Sequence, residues 1–312
     1  MRDTILSAHD LEHLDMFSGL SAFPLTPLVE DSLDEPRFTA LIERLSGSGV
    51  DSITVLGSTG MYAYLDPGER ARAAELAVPA ANGTPVYVGV GALRTSQVLA
   101  NVRSAELAGA QGLLLAPVSY QPLTEDEVFA LFAAVCAAST LPVILYDNPG
   151  TTHFSFSLEL YARIGALPNV ASIKIPPLPA NPQAAREHVA AIRSVIPADV
   201  TLGISGDAVA AAGLAAGCDG WYSVLAGALP ELALRISKPA SESDHERALA
   251  ESGQLASLWE FYTACGGSAR AIAGLARELG MVSDSALPAP LHNLSEELRT
   301  RARELLRELG RI

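Results

Sequence analysis

The chain has 312 residues, 49% of them hydrophobic, and a formal net charge of -14, which provides enough apolar material for one large barrel or two ordinary domains. So acidic a composition, with no lysine-rich or arginine-rich face, excludes nucleic acid as a partner, because phosphates need a basic footprint. No apolar window is long enough to cross a bilayer and the charged N-terminus lacks a signal-peptide core, so the expected location is the cytoplasm, away from membrane.

Residues 1–17 read as an N-terminal helical extension carrying His9 and His13 one helical turn apart. Without a third ligand nearby, the pair reads as a solvated helix face and not as a metal site. Eight short apolar runs follow, most separated by an alanine-rich and leucine-rich helical stretch: Leu20 to Leu25, Ser52 to Leu56, Val86 to Val90, Gly112 to Leu115, Val143 to Tyr146, Ala171 to Ile175, Val200 to Ile204 and Gly220 to Val224. A repeat of roughly 30 residues fits a strand, a loop and a helix. Eight such units over residues 18–227 predict an α/β fold, a (β/α)8 TIM barrel, with its chemistry at the C-terminal strand ends. An open doubly wound sheet would show fewer strands and a nucleotide loop. Gly89-Val90-Gly91 comes nearest to such a loop, but Arg94 stands where its third glycine belongs. Over residues 228–312 the strand pattern gives way to amphipathic helical segments, with turn signals from Ser283 to Pro290 and a cap at Ser295. These predict a C-terminal helical extension packed on the barrel or on another subunit. Cys136, Cys218 and Cys265 lack disulfide or metal-ligand spacing and read as reduced packing residues.

The polar groups that end the strands carry the functional signal. Lysine occurs only twice in the chain, against 19 arginines. Lys238 lies in a polar stretch and reads as solvent-exposed. Lys174 closes the sixth run just before Pro176-Pro177. An amine in such an apolar setting can shed its proton near neutral pH and attack a carbonyl, as arginine cannot; the alternative is a lysine that snorkels to solvent. The second run ends in Gly57-Ser58-Thr59-Gly60, whose hydroxyls and successive N–H groups can cradle a carboxylate, or else cap the next helix. The fifth ends in Tyr146-Asp147-Asn148-Pro149-Gly150, a phenol beside a rigid turn. Strands five and six are barrel neighbours, so Tyr146 and Lys174 are expected to share one mouth.

In this order the motifs resemble the dihydrodipicolinate synthase and N-acetylneuraminate lyase group of Schiff-base-forming barrels, over roughly residues 18 to 300. Ser21-Ala22-Phe23-Pro24-Leu25-Thr26-Pro27-Leu28 is similar to the first strand, Gly57-Ser58-Thr59-Gly60 to G-[ST]-T-G, Tyr146-Asp147-Asn148-Pro149 to Y-[ND]-x-P and Ser172-Ile173-Lys174 to [GS]-[IL]-K. Ser205-Gly206-Asp207 and Gly217-Cys218-Asp219-Gly220 resemble the last two strand loops. The resemblance implies an imine between Lys174 and pyruvate or another 2-oxo acid. It also implies a carboxylate held by Ser58 and Thr59, proton transfer by Tyr146 beside Ser58, and substrate contacts from Gly206 and Tyr222. It implies no cofactor or metal, and a homo-oligomer, dimer or tetramer.

The chain departs from that pattern at several positions. Thr151 stands where the synthases carry an arginine for the second substrate's carboxylate, and Val118 and Ser119 replace a tyrosine pair, with Tyr120 one place off. Met61 and Ile175 replace glutamates, which implies a less polar pocket and an amine with no carboxylate neighbour. The implied activity is a lyase or aldolase reaction on some 2-oxo acid. Dehydration of a 2-oxo-3-deoxy sugar acid, an atypical dihydrodipicolinate synthase, and a small-molecule-binding barrel that has lost turnover remain as alternatives. Retention of Lys174 in a chain that otherwise avoids lysine favours an enzyme.

Overall fold

The computed structural model describes residues 16–312; the expected N-terminal helix with His9 and His13 lies outside the described residues. Eight parallel strands form a closed barrel. They are β1 (Gly19–Ala22), β2 (Ser52–Val55), β3 (Val86–Gly89), β4 (Gly112–Leu115), β5 (Val143–Tyr146), β6 (Val170–Ile175), β7 (Thr201–Ile204) and β8 (Gly220–Ser223). Each pairs with its sequence neighbours, and β8 closes on β1 from Gly19↔Gly220 to Ala22↔Ser223. The eight apolar runs are thus the eight strands of a (β/α)8 barrel, and the open sheet is excluded.

The outer helices are α1 (Glu35–Ser46), α2 (Pro67–Ala80), α3 (Thr95–Ala108), α4 (Glu125–Ala138), α5 (Leu158–Gly165), α6 (Pro182–Arg193), α7 (Ala210–Ala215) and α8 (Pro230–Ser241). Five of them start at a side-chain cap, from Asp34, Asp66, Thr124, Ser157 and Asn181, which satisfies first-turn N–H groups that have no helical partner. Strand residues alternate between two buried environments. Ile53, Val55, Leu113, Leu115, Ile173 and Ile175 pack with the helices, while Phe23, Tyr87, Leu114, Ile144, Tyr146 and Tyr222 form a separate cluster within the barrel. Phe17 stacks on Tyr87 at 4.9 Å between ring centroids and closes the N-terminal end. Interior hydroxyls pair off, Ser21 with Thr54 at 2.8 Å and Ser172 with Tyr222 at 2.7 Å. The barrel is therefore filled from below, and a cavity opens at its C-terminal mouth.

Four further helices follow: α9 (His245–Gly253), α10 (Ala256–Ala264), α11 (Ser268–Glu278) and α12 (Glu296–Glu308). Ser295 caps α12 as expected, accepting from Leu298 N–H at 3.3 Å, and residues 291–295 precede the helix. Glu278 of α11 accepts from Arg299 and Arg303 of α12 at 2.9 and 3.1 Å. The segment before α12 is tied to the turn after β1, since Leu28 N–H donates to Ala286 O and Ser283 Oγ to Leu28 O. These contacts bring the C-terminal helices over the barrel mouth. The three cysteines are free and buried. Among the described residues no helix is long and apolar enough to cross a membrane.

Candidate active site

Register alone brings the amine and the phenol together, because Tyr146 pairs with Lys174 across β5 and β6. Lys174 is 4% exposed, and its Nζ lies 3.8 Å from the Tyr146 ring centroid, 4.9 Å from that of Phe23 and 6.0 Å from that of Tyr222. Aromatic faces attract the ammonium weakly, but they do not replace water as hydrogen-bond acceptors. Burial accordingly lowers the Lys174 pKa to about 7, and the charge of Asp207 pulls it partly back up. The expectation of an amine with no carboxylate neighbour is thus corrected. Ile175, next in the chain, supplies no carboxylate, whereas the acid comes from the adjacent strand loop. Asp207 is buried and accepts from Trp221 Nε1 (3.1 Å), Ser223 Oγ (3.1 Å), Val224 N–H (3.2 Å), Leu225 N–H (2.8 Å) and Tyr262 Oη (3.2 Å). Burial raises its pKa against the pull of these donors. Lys238 sits exposed in the last turn of α8.

Ser58 and Thr59 sit in the loop between β2 and α2. Gly57 is required there, because a Cβ would come within 2.7 Å of the Phe23 ring. Ser58 Oγ lies 3.3 Å from Tyr146 Oη. Asn148 donates its amide to Tyr146 Oη at 2.8 Å and to Ser58 Oγ at 3.3 Å, so three side chains from the ends of β2 and β5 form one polar knot. Burial pushes the Tyr146 phenol up to about 12, and it keeps its proton at neutral pH. Thr59 is 3% exposed; among the described residues neither its hydroxyl nor the N–H groups of Ser58 and Thr59 has a protein partner. Donors held without a partner beside an amine can receive a carboxylate.

These groups line a cavity of about 730 Å³. Its floor includes the Tyr222 ring, whose hydroxyl is committed to Ser172 and so turns away from the opening. Gly206 lines the wall with φ 89°, and a Cβ there would meet Pro177 at 2.8 Å. Val118 also lines it, whereas Tyr120 is 89% exposed and stays outside. Thr151 faces the cavity with its hydroxyl turned to Asn148 O at 3.4 Å. Sequence reading passed over Asn148, Tyr62 and Arg270, all of which line the cavity. Only Asn148 left a usable signal: two places beyond Tyr146, strand periodicity puts it on the same face. Among the described residues no three His, Cys, Asp or Glu side chains cluster as a metal site would need.

Fold and site together define a (β/α)8 barrel with a desolvated amine, a neutral phenol and a set of uncommitted hydrogen-bond donors at its C-terminal mouth. The chain belongs to the dihydrodipicolinate synthetase family, whose model it matches over residues 16–309. A 4-hydroxy-tetrahydrodipicolinate synthase of Phenylobacterium zucineum is 30% identical over 300 residues, covering 95% of this chain and 99% of that one. The synthase of the same name from Rhizobium meliloti is 34% identical over a shorter stretch, 51% of this chain and 55% of the relative. A crystal structure of dihydrodipicolinate synthase from Agrobacterium tumefaciens superposes with a TM-score of 0.91 at 42% identity, covering 95% of this chain and 99% of that one.

Proposed function

We propose that the protein is a lyase that forms a Schiff base between Lys174 and pyruvate or another 2-oxo acid, then cleaves or forms a carbon-carbon bond by an aldol step. The observation that carries this reading is the buried Lys174 amine, with a pKa of about 7 and the Tyr146, Ser58 and Asn148 knot beside it. The neutral amine attacks the carbonyl carbon, and the resulting carbinolamine loses water once its hydroxyl has been protonated. Tyr146 is the proton donor within reach, and Ser58 and Asn148 hold its oxygen in place. The iminium then draws the electrons of the adjacent bond, so that C3 can lose a proton or a carbon fragment as an enamine forms. The Ser58 and Thr59 N–H groups and the Thr59 hydroxyl fix the carboxylate. Dehydration of a 2-oxo-3-deoxy acid starts from the same imine.

The test is borohydride reduction with pyruvate, read by intact mass and peptide mapping. The expected result is one reduced adduct per chain, on the Lys174 peptide. An adduct on Lys238, or none with any 2-oxo acid, overturns the proposal.

A further inference from the structure

The charge of the cavity wall is the reverse of the charge of the molecule. In a chain with net charge -14, the cavity wall holds the Lys174 amine and the Arg270 guanidinium and, among the described residues, no aspartate or glutamate. The two acids at the neighbouring strand ends turn away from it. Asp147 accepts from Tyr161 Oη at 2.6 Å, and Asp207 is enclosed by its five donors. Lys174 and Thr59 account for one end of a bound 2-oxo acid. Arg270 belongs to a different wall, in the first turn of α11 behind the Gly266-Gly267 turn. Among the described residues it makes no ion pair, whereas Arg277, Arg299 and Arg303 of the same helical region all do. Its one hydrogen bond among the described residues is from Nη1 to Cys265 O at 3.3 Å, which leaves most of its five donors unused. Ser268 and Ala269 N–H groups, beside it in the same helix turn, also have no acceptor among the described residues. Thr151, on the β5 side, supplies no cation.

Resting on the Schiff-base reading above, we propose that the substrate carries a second anionic group at the end remote from its 2-oxo acid function, and that Arg270 binds it. The substrate class is then a 2-oxo acid with a distal carboxylate. The planar guanidinium with the adjacent helix N–H groups matches a carboxylate geometrically, and a site without acidic neighbours meets no repulsion. A substrate held at both ends has its central carbons fixed over Tyr146 and Lys174. Arg270 is therefore a specificity and positioning residue and takes no part in the chemistry.

The experiment is borohydride trapping over a concentration series for length-matched pairs, 2-oxopentanoate against 2-oxoglutarate and 2-oxohexanoate against 2-oxoadipate, with pyruvate as the common reference. The expected result is half-saturation at a concentration about tenfold or more lower for the better dicarboxylate than for its partner. Arg270→Gln is expected to reduce that ratio to about twofold or less, Arg270→Lys to keep part of it, and both to trap pyruvate like the parent protein. Calorimetric binding of glutarate against pentanoate needs no imine and reads the same preference. Absence of a dicarboxylate preference in both assays, or a preference unchanged in Arg270→Gln, overturns the proposal. Loss of pyruvate trapping in Arg270→Gln also overturns it, because the residue would then support the fold and not the ligand. If no 2-oxo acid is trapped by the parent protein, the Schiff-base reading fails by itself, and the glutarate comparison still decides the role of Arg270.

Discussion

Transfer of the Lys174 amine from water into the barrel mouth links its chemistry to stability. The unfolded chain holds that proton up to the ordinary value of 10.5 and the folded chain only to about 7, so between these values folding expels a proton. Stability from this group is full above 10.5 and is lost as pH falls towards about 7. Lys174→Met removes the penalty, and urea unfolding is expected to show it more stable than the parent near pH 6, by up to about 5 kcal/mol. The gain shrinks to the packing difference near pH 10; a gain equal at both pH values would show that the amine is not desolvated. Tyr146→Phe keeps the ring against Lys174 and deletes the phenol. It is expected to slow exchange of the pyruvate methyl protons in deuterated water by roughly 10² to 10⁴ with the fold intact, and unchanged exchange would move the proton transfer to another group. With Thr151 where the synthases carry an arginine, L-aspartate semialdehyde is expected to be a poor acceptor, by roughly ten- to a hundredfold for the missing bidentate contact. Efficient condensation with pyruvate in a coupled assay would favour the atypical dihydrodipicolinate synthase instead. The place of Lys174 at the barrel mouth was legible in the sequence, because it closes an apolar run in a chain where lysine is rare. Periodicity gives the face of Asn148 but not its partner, since the hydrogen bond reaches Ser58, 90 positions away.

The strands were legible almost to their boundaries, because a barrel strand buried on both sides reads as a short apolar run between turn residues. Glycines were harder to interpret. Gly89 suggested the start of a nucleotide loop, but the structure gives it a steric role: a Cβ there would stand 1.8 Å from Leu56 O. Arg70 of α2 locks the same strand end, with Nη1 and Nη2 each 2.9 Å from the carbonyl oxygens of Gly91 and Gly89. Gly89→Ala is therefore expected to cost about 3 kcal/mol or more in chemical unfolding, since backbone and not a flexible side chain must yield. At Gly253, the last residue of α9, a Cβ would meet nothing within 4 Å, and Gly253→Ala is expected to be neutral or to stabilise by up to about 1 kcal/mol. Equal effects of the two substitutions would remove the close approach of β2 and β3 as an explanation. The C-terminal helices were legible as helices, but which surface they cover was not, because helical periodicity reports a buried face without naming what lies against it.

Over the whole molecule, two charge distributions oppose each other. The net charge of -14 surrounds a mouth whose charged lining is cationic. An anionic substrate approaches against the outer field and is retained by the inner one. Salt screens the first more than the second, because exposed charges are screened and enclosed ones are not. Half-saturation for pyruvate trapping is therefore expected to fall about two- to fivefold between about 0.01 and 0.15 M ionic strength, opposite to the trend for electrostatically steered binding. A rise with salt would mean that the mouth dominates at long range. The composition that excluded nucleic acid in the sequence also conceals this inversion, since a net charge carries no positions.

Asp207 belongs to two parts of the molecule at once. Trp221 and Ser223 hold it from the barrel, Tyr262 of α10 holds it from the covering helices, and its charge acts on Lys174. Movement of those helices alters how this carboxylate is held and therefore the acidity of the amine. By thermodynamic reciprocity, any molecule that binds under the helices and shifts them also shifts the pH at which the amine titrates, and the titration of the amine changes the affinity for that molecule. Under the proposed Schiff-base chemistry, the pH profile of imine formation would serve as a gauge of occupancy at the opposite wall, with no label attached to either.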